Sequence, residues 1–259
     1  MGAHILTEPQ AAAAVLADAL KKASRTVVLT GAGLSTESGI PDFRSPGGIW
    51  SRMEPIEYDD FLSDEDARLE DWRRRFEMSA LFTAAEPNAA HRAIASFAER
   101  GIVDLVVTQN IDGLHERAGT PSEKLVEIHG TTSHARCLTC GARAEIADAQ
   151  QQIEETGTSP ICNICGGLLK TAIISFGEPM PEAEFIRAQE AAATCDLFIA
   201  AGTSLVVYPV AFLPQFAQQS GARVMIASQA ATEQDDLAEV IIRSPIAETF
   251  AHLENLAFN

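Results

Sequence analysis

The chain has 259 residues, 46% of them apolar, which is enough to bury one substantial core. Its formal charge of -17, from 36 acidic and 19 basic residues, argues against nucleic acid as a direct ligand and suits a lysine-rich protein partner. No apolar run reaches the ~18 residues of a membrane span and no signal-peptide pattern opens the chain, which predicts a cytoplasmic protein without membrane contact.

The first segments are typical of a parallel α/β sheet. Thr7 to Gln10 resembles a capping box, and the apolar spacing after it predicts a helix from about Pro9 to Ala23. Thr26 to Thr30 predicts a buried strand that enters a glycine turn. Further strands are predicted at Val103 to Thr108, Leu197 to Ala201 and Val224 to Ala227. The stretches between them are long enough for helical crossovers, so the predicted fold class is α/β with a doubly wound parallel sheet.

A charged stretch from Tyr58 to Phe82 interrupts this alternation. Its apolar residues recur at helical spacing, which predicts a helical flap beside a ligand cleft. The side chains expected to face inward are Phe61, Leu62, Leu69, Trp72, Phe76 and Leu81.

Two C-x-x-C pairs, Cys137 with Cys140 and Cys162 with Cys165, are separated by 21 residues. Four thiolates about 2.3 Å from one ion leave no open position for water, so the spacing predicts a structural zinc. The surrounding residues are too polar to form a core without a metal. The alternative is four reduced cysteines that fill apolar space, and Cys195 is expected to be a buried small side chain of that kind.

The turn after the first strand begins like a dinucleotide fingerprint, although Thr36 stands where a third glycine would be. Gly31 and Gly33 are expected to let backbone amides approach a pyrophosphate, with the Ser35 hydroxyl nearby. A tight turn without a ligand is the alternative.

After the Val103 to Thr108 strand, the polar side chains Gln109, Asn110 and Asp112 are expected to face the same cleft, or else to cap a helix.

His129 precedes the cysteine region, and an imidazole is the natural general base at neutral pH. A structural role is the alternative for any lone histidine. His115 is expected on a helix surface, and the remaining histidines are expected to be structural.

Six segments in order resemble the sirtuin family of NAD-dependent protein lysine deacylases, bacterial type. They are Gly31 to Arg44, Thr108 to Gly119, His129-Gly130, the four cysteines, Phe176 to Glu178, and Gly202 to Ser204. The resemblance implies a Rossmann-type NAD-binding domain and a smaller domain made of the helical flap and a zinc ribbon. The expected boundaries are 1–41, 87–130 and 171–259 for the large domain, 42–86 for the flap and 131–170 for the zinc ribbon.

The resemblance also implies the activity: removal of acyl groups, acetyl above all, from protein lysines with NAD as co-substrate and one structural zinc. The products would be free lysine, nicotinamide and O-acyl-ADP-ribose. His129 would be the general base and Asn110 a second catalytic residue. The implied NAD site comprises Gly31, Ala32, Gly33, Ser35, Asp42, Phe43, Arg44, Gln109, Asn110, Ile111, Asp112, Gly202, Thr203, Ser204, Ser228 and Gln229.

The same resemblance places the acyl-lysine peptide along Ala172 to Glu178. Ile174, Phe176, Gly177 and Glu178 would line the substrate tunnel and pair with an extended peptide, unless the segment is an ordinary core strand. Two rival functions remain open. One is an NAD glycohydrolase or ADP-ribosyltransferase, and the other is a non-enzymatic scaffold that senses NAD.

Two positions depart from the family pattern. Ser228 stands where sirtuins commonly carry Asn, which leaves its contact with the adenosine ribose to a water or to Gln229. Trp72 and Arg75 stand where family members that prefer dicarboxylic acyl groups carry a Tyr-x-x-Arg pair. An arginine can clamp a carboxylate, so succinyl-lysine is an alternative to the expected acetyl or longer apolar acyl group.

Overall fold

The structure is a computed structural model that describes residues 3–51 and 53–257. Its strands are β1 (His4–Leu6), β2 (Thr26–Thr30), β3 (Leu105–Thr108), β4 (Leu125–Glu127), β5 (Gly130–Cys137), β6 (Arg143–Ala144), β7 (Leu169–Ile173), β8 (Leu197–Ala201), β9 (Arg223–Ala227) and β10 (Val240–Ile242). Its helices are α1 (Pro9–Lys22), α2 (Tyr58–Ser63), α3 (Glu65–Ala84), α4 (Ala89–Glu99), α5 (Leu114–Arg117), α6 (Ile146–Thr156), α7 (Glu182–Thr194), α8 (Leu213–Gln219) and α9 (Ile246–Ala257). Within these ranges, every helix is too short or too polar to serve as a membrane span.

A seven-stranded parallel sheet forms the larger part of the described chain, in the order β1-β10-β9-β8-β2-β3-β4. Helices α1, α4 and α9 cover one face, and α7 and α8 cover the other. In β2, Val28 packs into the first layer while Val27 and Leu29 pack into the second. Alternate residues of one strand thus enter both cores, which is why β2 reads as an unbroken apolar run. The predicted doubly wound sheet is confirmed.

The order of the strands fixes where a ligand can bind. From β2 the chain continues outward through β3 and β4 on one side, while β8, β9 and β10 lie on the other side. The point between β2 and β8 is therefore a topological switch point, where the loops at the carboxyl ends of the strands diverge and leave a crevice.

A second sheet, antiparallel and ordered β6-β5-β7, carries the cysteine region. Helix α3 of the flap packs against it through Trp72, which is fully buried with Ala135, Ala149 and Leu169. The flap and the cysteine region therefore share one small core. This core joins the large sheet where the amide of Ile174 donates to the carbonyl of His129, 2.9 Å away.

Several local expectations were wrong. Helix α1 takes Glu8 rather than Thr7 as its N-cap, without a side-chain hydrogen bond. The flap is two helices broken at Asp64, whose carboxylate accepts from the amide of Asp66 at 2.9 Å and so starts α3. Leu62 and Leu81 point outward, 42% and 37% exposed. The break at Asp64 separates Leu62 from the apolar face of α3, and Leu81, nine residues after Trp72 on the same helix, lies on the face opposite Trp72.

Candidate active site

A cleft of about 510 Å³ opens at the switch point, between the large sheet and the small core. This volume lies in the usual range for small-molecule sites. Its walls are the turn after β2, the loops after β3 and β8, and the segment after β7. The predicted site residues that line it are Gly31, Ala32, Gly33, Asp42, Phe43, Arg44, Arg75, Gln109, Asn110, Ile111, His129, Ile174, Phe176, Gly177, Glu178, Gly202, Thr203, Ser204, Ser228 and Gln229.

Ser35 and Asp112 are not among the residues that line the cleft. Ser35 is fully buried and donates its hydroxyl to Asp112 Oδ2 over 2.7 Å. The other carboxylate oxygen of Asp112 accepts from the amide of Leu114 at 2.9 Å. Burial raises the pKa of Asp112, while these hydrogen bonds act in the opposite direction. Both side chains lie one layer behind the cleft wall.

Asn110 connects the buried side chains of Ser35 and Asp112 to the cleft. Its Nδ2 donates to the Gly31 carbonyl and to Ser35 Oγ, each at 3.1 Å. Both amide hydrogens are therefore used inside the protein, which fixes the side chain and leaves Oδ1 as the group that can meet a ligand. The network thus holds one acceptor in place at the floor of the cleft.

Two buried histidines complete the network. His91 is structural, as expected, whereas the burial of His115 was not predicted. His91 accepts from the amide of Asn88 as part of a capping box and lies 3.4 Å from Ser35 Oγ. His115 is 2% exposed, not on a surface as expected, and its Nε2 lies 2.9 Å from Thr30 Oγ1. Burial lowers the pKa of His91 to about 4 and that of His115 to about 3, so both are neutral at neutral pH. The Asn88-x-x-His91 spacing could have revealed the first, whereas the single turn of α5 has no pattern that reveals the second.

His129 stands between β4 and β5, at the joint between the sheet and the small core. Its Nδ1 lies 3.1 Å from the carbonyl oxygen of Gln109, which can only accept, so Nδ1 carries the proton and Nε2 is the basic nitrogen. Burial lowers the pKa of His129 below 6.5, the hydrogen bond to Gln109 raises it, and the nearby Arg44 lowers it. The imidazole is therefore a neutral base at neutral pH.

The loop that carries Phe43 and Arg44 is held by Asp42. Asp42 Oδ1 accepts from the amides of Arg44 at 3.0 Å and of Ser45 at 2.8 Å. The carboxylate therefore acts as the anchor of a turn, and Phe43 and Arg44 are the side chains that this turn presents to the cleft.

The four paired cysteines form one cluster in the small core, with their sulfur atoms all within 4.8 Å of one another. The Cys137–Cys165 and Cys140–Cys162 sulfur separations are 3.4 and 3.8 Å, close to the ~3.8 Å edge of a tetrahedral four-thiolate zinc site. Backbone amides of Thr139 and Cys140 point at Cys137 Sγ. These contacts lower the pKa of the Cys137 thiol and favour the thiolate that a metal needs. The residues therefore fit a structural zinc, as predicted. Cys195 is buried elsewhere, in the core of the large sheet.

Comparison with known proteins gives the family. The model of the Sir2 family matches residues 31–209. The chain belongs to the Sir2 family. A relative named NAD-dependent protein deacetylase, from Rhodopseudomonas palustris, is 49% identical over 90% of this chain and 92% of its own length. An NAD-dependent protein deacetylase 1 from Bradyrhizobium diazoefficiens is also 49% identical, with the same coverage.

Solved Sir2 structures share the fold. One, described as Sir2 with a deacetylated p53 peptide and 3′-O-acetyl-ADP-ribose, has a TM-score of 0.86 at 34% identity and covers 93% of this chain and 97% of its own. Another, described as Sir2 with a p53 peptide and NAD+, has a TM-score of 0.82 at 35% identity and covers 91% and 94%. The expected fold class, with a parallel sheet and a four-cysteine ribbon, is thereby confirmed.

In this Sir2 chain, the segment after β7 departs from the expected strand. Strand β7 ends at Ile173, and the chain then turns so that the Phe176 carbonyl accepts from the amide of Tyr58 at 2.8 Å. The turn is fixed by Glu178, whose carboxylate accepts from the amide of Ser175 at 3.0 Å and from buried Lys170 at 2.8 Å. Burial lowers the pKa of Lys170, and the adjacent Glu178 opposes that effect. No sequence pattern pointed to this buried pair.

Trp72 also departs from expectation, because its indole is fully buried in the small core and does not line the cleft. The expectation that it contacts the acyl group was wrong, since the flap turns this face of α3 toward the cysteine region. Arg75, one turn further along α3, does line the cleft.

Ser228 lines the cleft at the end of β9, and its hydroxyl donates to the carbonyl of Ala230 over 2.9 Å. The hydrogen of the hydroxyl is thus used within the loop, so Ser228 can offer a ligand only an acceptor. The next residue, Gln229, also lines the cleft.

The glycines of the Sir2 turn also have a packing role that the sequence did not predict. A Cβ on Gly33 would lie 2.8 Å from the Gly202 carbonyl, and a Cβ on Gly202 would lie 2.1 Å from the Leu34 amide. The missing side chains therefore let the loops after β2 and β8 pack backbone to backbone. This contact forms the floor of the cleft.

Gly202→Ala should lower the free energy of unfolding by about 1 to 3 kcal/mol more than Gly221→Ala in urea titrations. Both glycines have a positive φ, 65° and 90°, so both substitutions strain the backbone. Only the Gly202 variant also adds a clash, since no atom of the described residues lies within 4 Å of a Cβ at Gly221. Equal losses for the two variants would contradict the packing role.

Proposed function

We propose that this chain is an NAD-dependent protein lysine deacylase that uses NAD and one water to remove acetyl or a longer apolar acyl group, giving free lysine, nicotinamide and O-acyl-ADP-ribose. The observation that carries the proposal is the shared cleft. His129, Asn110 and the turn after β2 all line this one cavity. The names of the relatives agree with it, since they are called NAD-dependent protein deacetylases.

The volume of the cleft and its polar lining residues suit a nucleotide such as NAD. The turns at Gly31 to Gly33 and Gly202 to Ser204 would hold the phosphates, and Ser228 and Gln229 would lie at the adenosine end. Ile111 and Asn110 would lie at the nicotinamide end. Bound NAD supplies the ribose carbon that accepts the acyl oxygen and the nicotinamide that leaves.

His129 would act as the general base in this cleft. Its Nε2 can take a proton from a ribose hydroxyl, and the imidazolium that results would be stabilised at Nδ1 by the carbonyl of Gln109. Asn110 Oδ1 would accept from a ribose hydroxyl or a water. Ser35 and Asp112 would act as positioning residues through Asn110. Phe43 would shield the reacting carbon from water.

The peptide would enter beside the turn after β7. Ile174, Phe176 and Gly177 line this part of the cleft and would contact the acyl-lysine chain. Because the chain carries a formal charge of -17, lysine-rich protein segments are the proposed partners, in preference to nucleic acid. We retain the expected domain boundaries and a cytoplasmic location as parts of this proposal.

The activity should fall as the pH decreases, with the midpoint of the acid limb of kcat/KM below 6.5. The neutral imidazole is the active form, and burial lowers the pKa of His129. Activity is therefore fully present above that lowered pKa and is lost as the pH falls through it. A pH profile of kcat/KM checks this, and a limb centred above 6.5 would assign the base to another group.

Mass spectrometry of the products tests the function itself. With NAD and a library of acylated peptides, we expect nicotinamide, free lysine peptide and O-acyl-ADP-ribose in equal amounts. Nicotinamide release without any peptide would instead identify an NAD glycohydrolase. Binding of NAD without any release would identify a scaffold.

A further inference from the structure

The flap wall of the cleft carries an ion pair that the reaction itself does not use. Asp71 and Arg75 lie one turn apart on α3 and both line the cleft. Arg75 Nη2 donates to Asp71 Oδ1 over 2.8 Å, and the two side chains are only 18% and 3% exposed. Because so little solvent reaches the pair, its attraction is screened far less than that of a surface salt bridge.

This wall also contains buried polar atoms that have no hydrogen-bond partner among the other described residues. Asp71 Oδ2 and Arg75 Nε are buried and have no hydrogen-bond partner within residues 3–51 and 53–257. The remaining guanidinium nitrogen of Arg75, Nη1, makes only a weak contact with Met78 Sδ at 3.7 Å. Buried polar atoms without partners are costly. An acyl group that reaches this wall therefore meets a guanidinium and a carboxylate side by side.

The neighbouring cationic side chains are also paired with carboxylates. Arg74, the other arginine of α3 that lines the cleft, donates to Glu70 over 2.7 Å. Lys170 lies near both members of the Asp71–Arg75 pair and is itself bonded to Glu178 at 2.8 Å. Each of these flap-side cations thus already has a carboxylate partner.

We propose that Asp71 determines acyl specificity: it keeps Arg75 paired, so that the cleft excludes acyl groups ending in a carboxylate and accepts neutral ones. The inference rests on the proposed deacylase function and names its substrate class. A carboxylated acyl group that contacts this wall would be attracted by Arg75 and repelled by Asp71, because the two charges lie 2.8 Å apart. The two nearly cancel, and the cost of taking the acyl carboxylate out of water remains.

Asp71→Asn tests the inference, because asparagine keeps the oxygen that holds Arg75 but removes the opposing charge. We measure kcat/KM with NAD on three forms of one peptide: acetyl-lysine, succinyl-lysine and the neutral methyl ester of succinyl-lysine. In the wild type, the ester should react faster than the acid. In the Asp71→Asn variant, the succinyl to acetyl ratio should rise about tenfold or more, as a newly available charge-assisted bond implies.

Glu77→Gln is the matched control. It removes a carboxylate that pairs with Arg73 across the same four-residue spacing on α3, and neither residue lines the cleft. Its succinyl to acetyl ratio should equal that of the wild type.

Three results would count against the inference, and they separate it from the proposed function. Acetyl turnover by Asp71→Asn with an unchanged ratio would overturn it. Equal wild-type rates on the succinyl acid and its ester would also overturn it, even if the variant did not fold. Both results leave the deacylase proposal standing, whereas no turnover of any acyl peptide would overturn both.

Discussion

Replacing His129 with alanine should lower kcat for deacylation by about 10²- to 10⁴-fold, the range found when a general base is lost. The basic Nε2 would be gone, and no other side chain of the network can replace it. His91 and His115 lie behind the wall, and burial lowers the pKa of both far below that of a useful base. Steady-state kinetics with an acetylated peptide and saturating NAD measures the loss.

His134→Ala provides the control. His134 lies on β5 and does not line the cleft, and its Nδ1 lies 3.0 Å from Ser133 Oγ. Its removal should leave kcat within about twofold of the wild type, because surface substitutions of this kind have small effects. A His129→Ala variant that kept more than a tenth of the wild-type kcat would show that another group takes the proton.

Replacing Cys162 with serine should abolish stoichiometric zinc binding and unfold the small core. A structural zinc contributes about 10 to 16 kcal/mol in small zinc-binding peptides, as much as the whole stability of a typical domain. The apolar residues around the cysteines are few, with Trp72, Ala135 and Leu169 among them, so they cannot compensate. Metal analysis and thermal unfolding of the variant check both parts.

Cys195→Ala is the matched cysteine control. Cys195 is buried against the large sheet, away from the cluster. This variant should keep one zinc per chain and lose only the modest stability of a small cavity. If Cys162→Ser instead retained equimolar zinc and the wild-type melting temperature, the four-thiolate site would be wrong.

Much of the sheet could be predicted from sequence because β2 and β8 are apolar runs that end at glycine turns. Strands β1, β4 and β10 could not, since each has three residues and no such run by itself defines a strand. The sequence also predicted the cysteine cluster, because paired spacing alone limits where four sulfur atoms can meet.

The residues behind the cleft wall were harder to predict than those that line it. Spacing indicates that Ser35 and Asp112 belong to the site, but only packing decides whether a side chain faces the cleft or the network behind it. The Asp71–Arg75 pair had a local signal, an acidic residue four positions before an arginine on a helix. Its position on the cleft depends on how α3 docks on the small core, which the sequence pattern does not contain.

A structure with ADP-ribose and an acylated lysine peptide bound tests the central claim most directly. We expect a ribose hydroxyl oxygen about 2.6 to 3.2 Å from His129 Nε2, with the pyrophosphate against the turn that begins at Gly31. The acyl group should lie between that ribose and Phe176. A ribose held by the turn but turned away from His129, with the peptide in a separate cavity, would contradict the account.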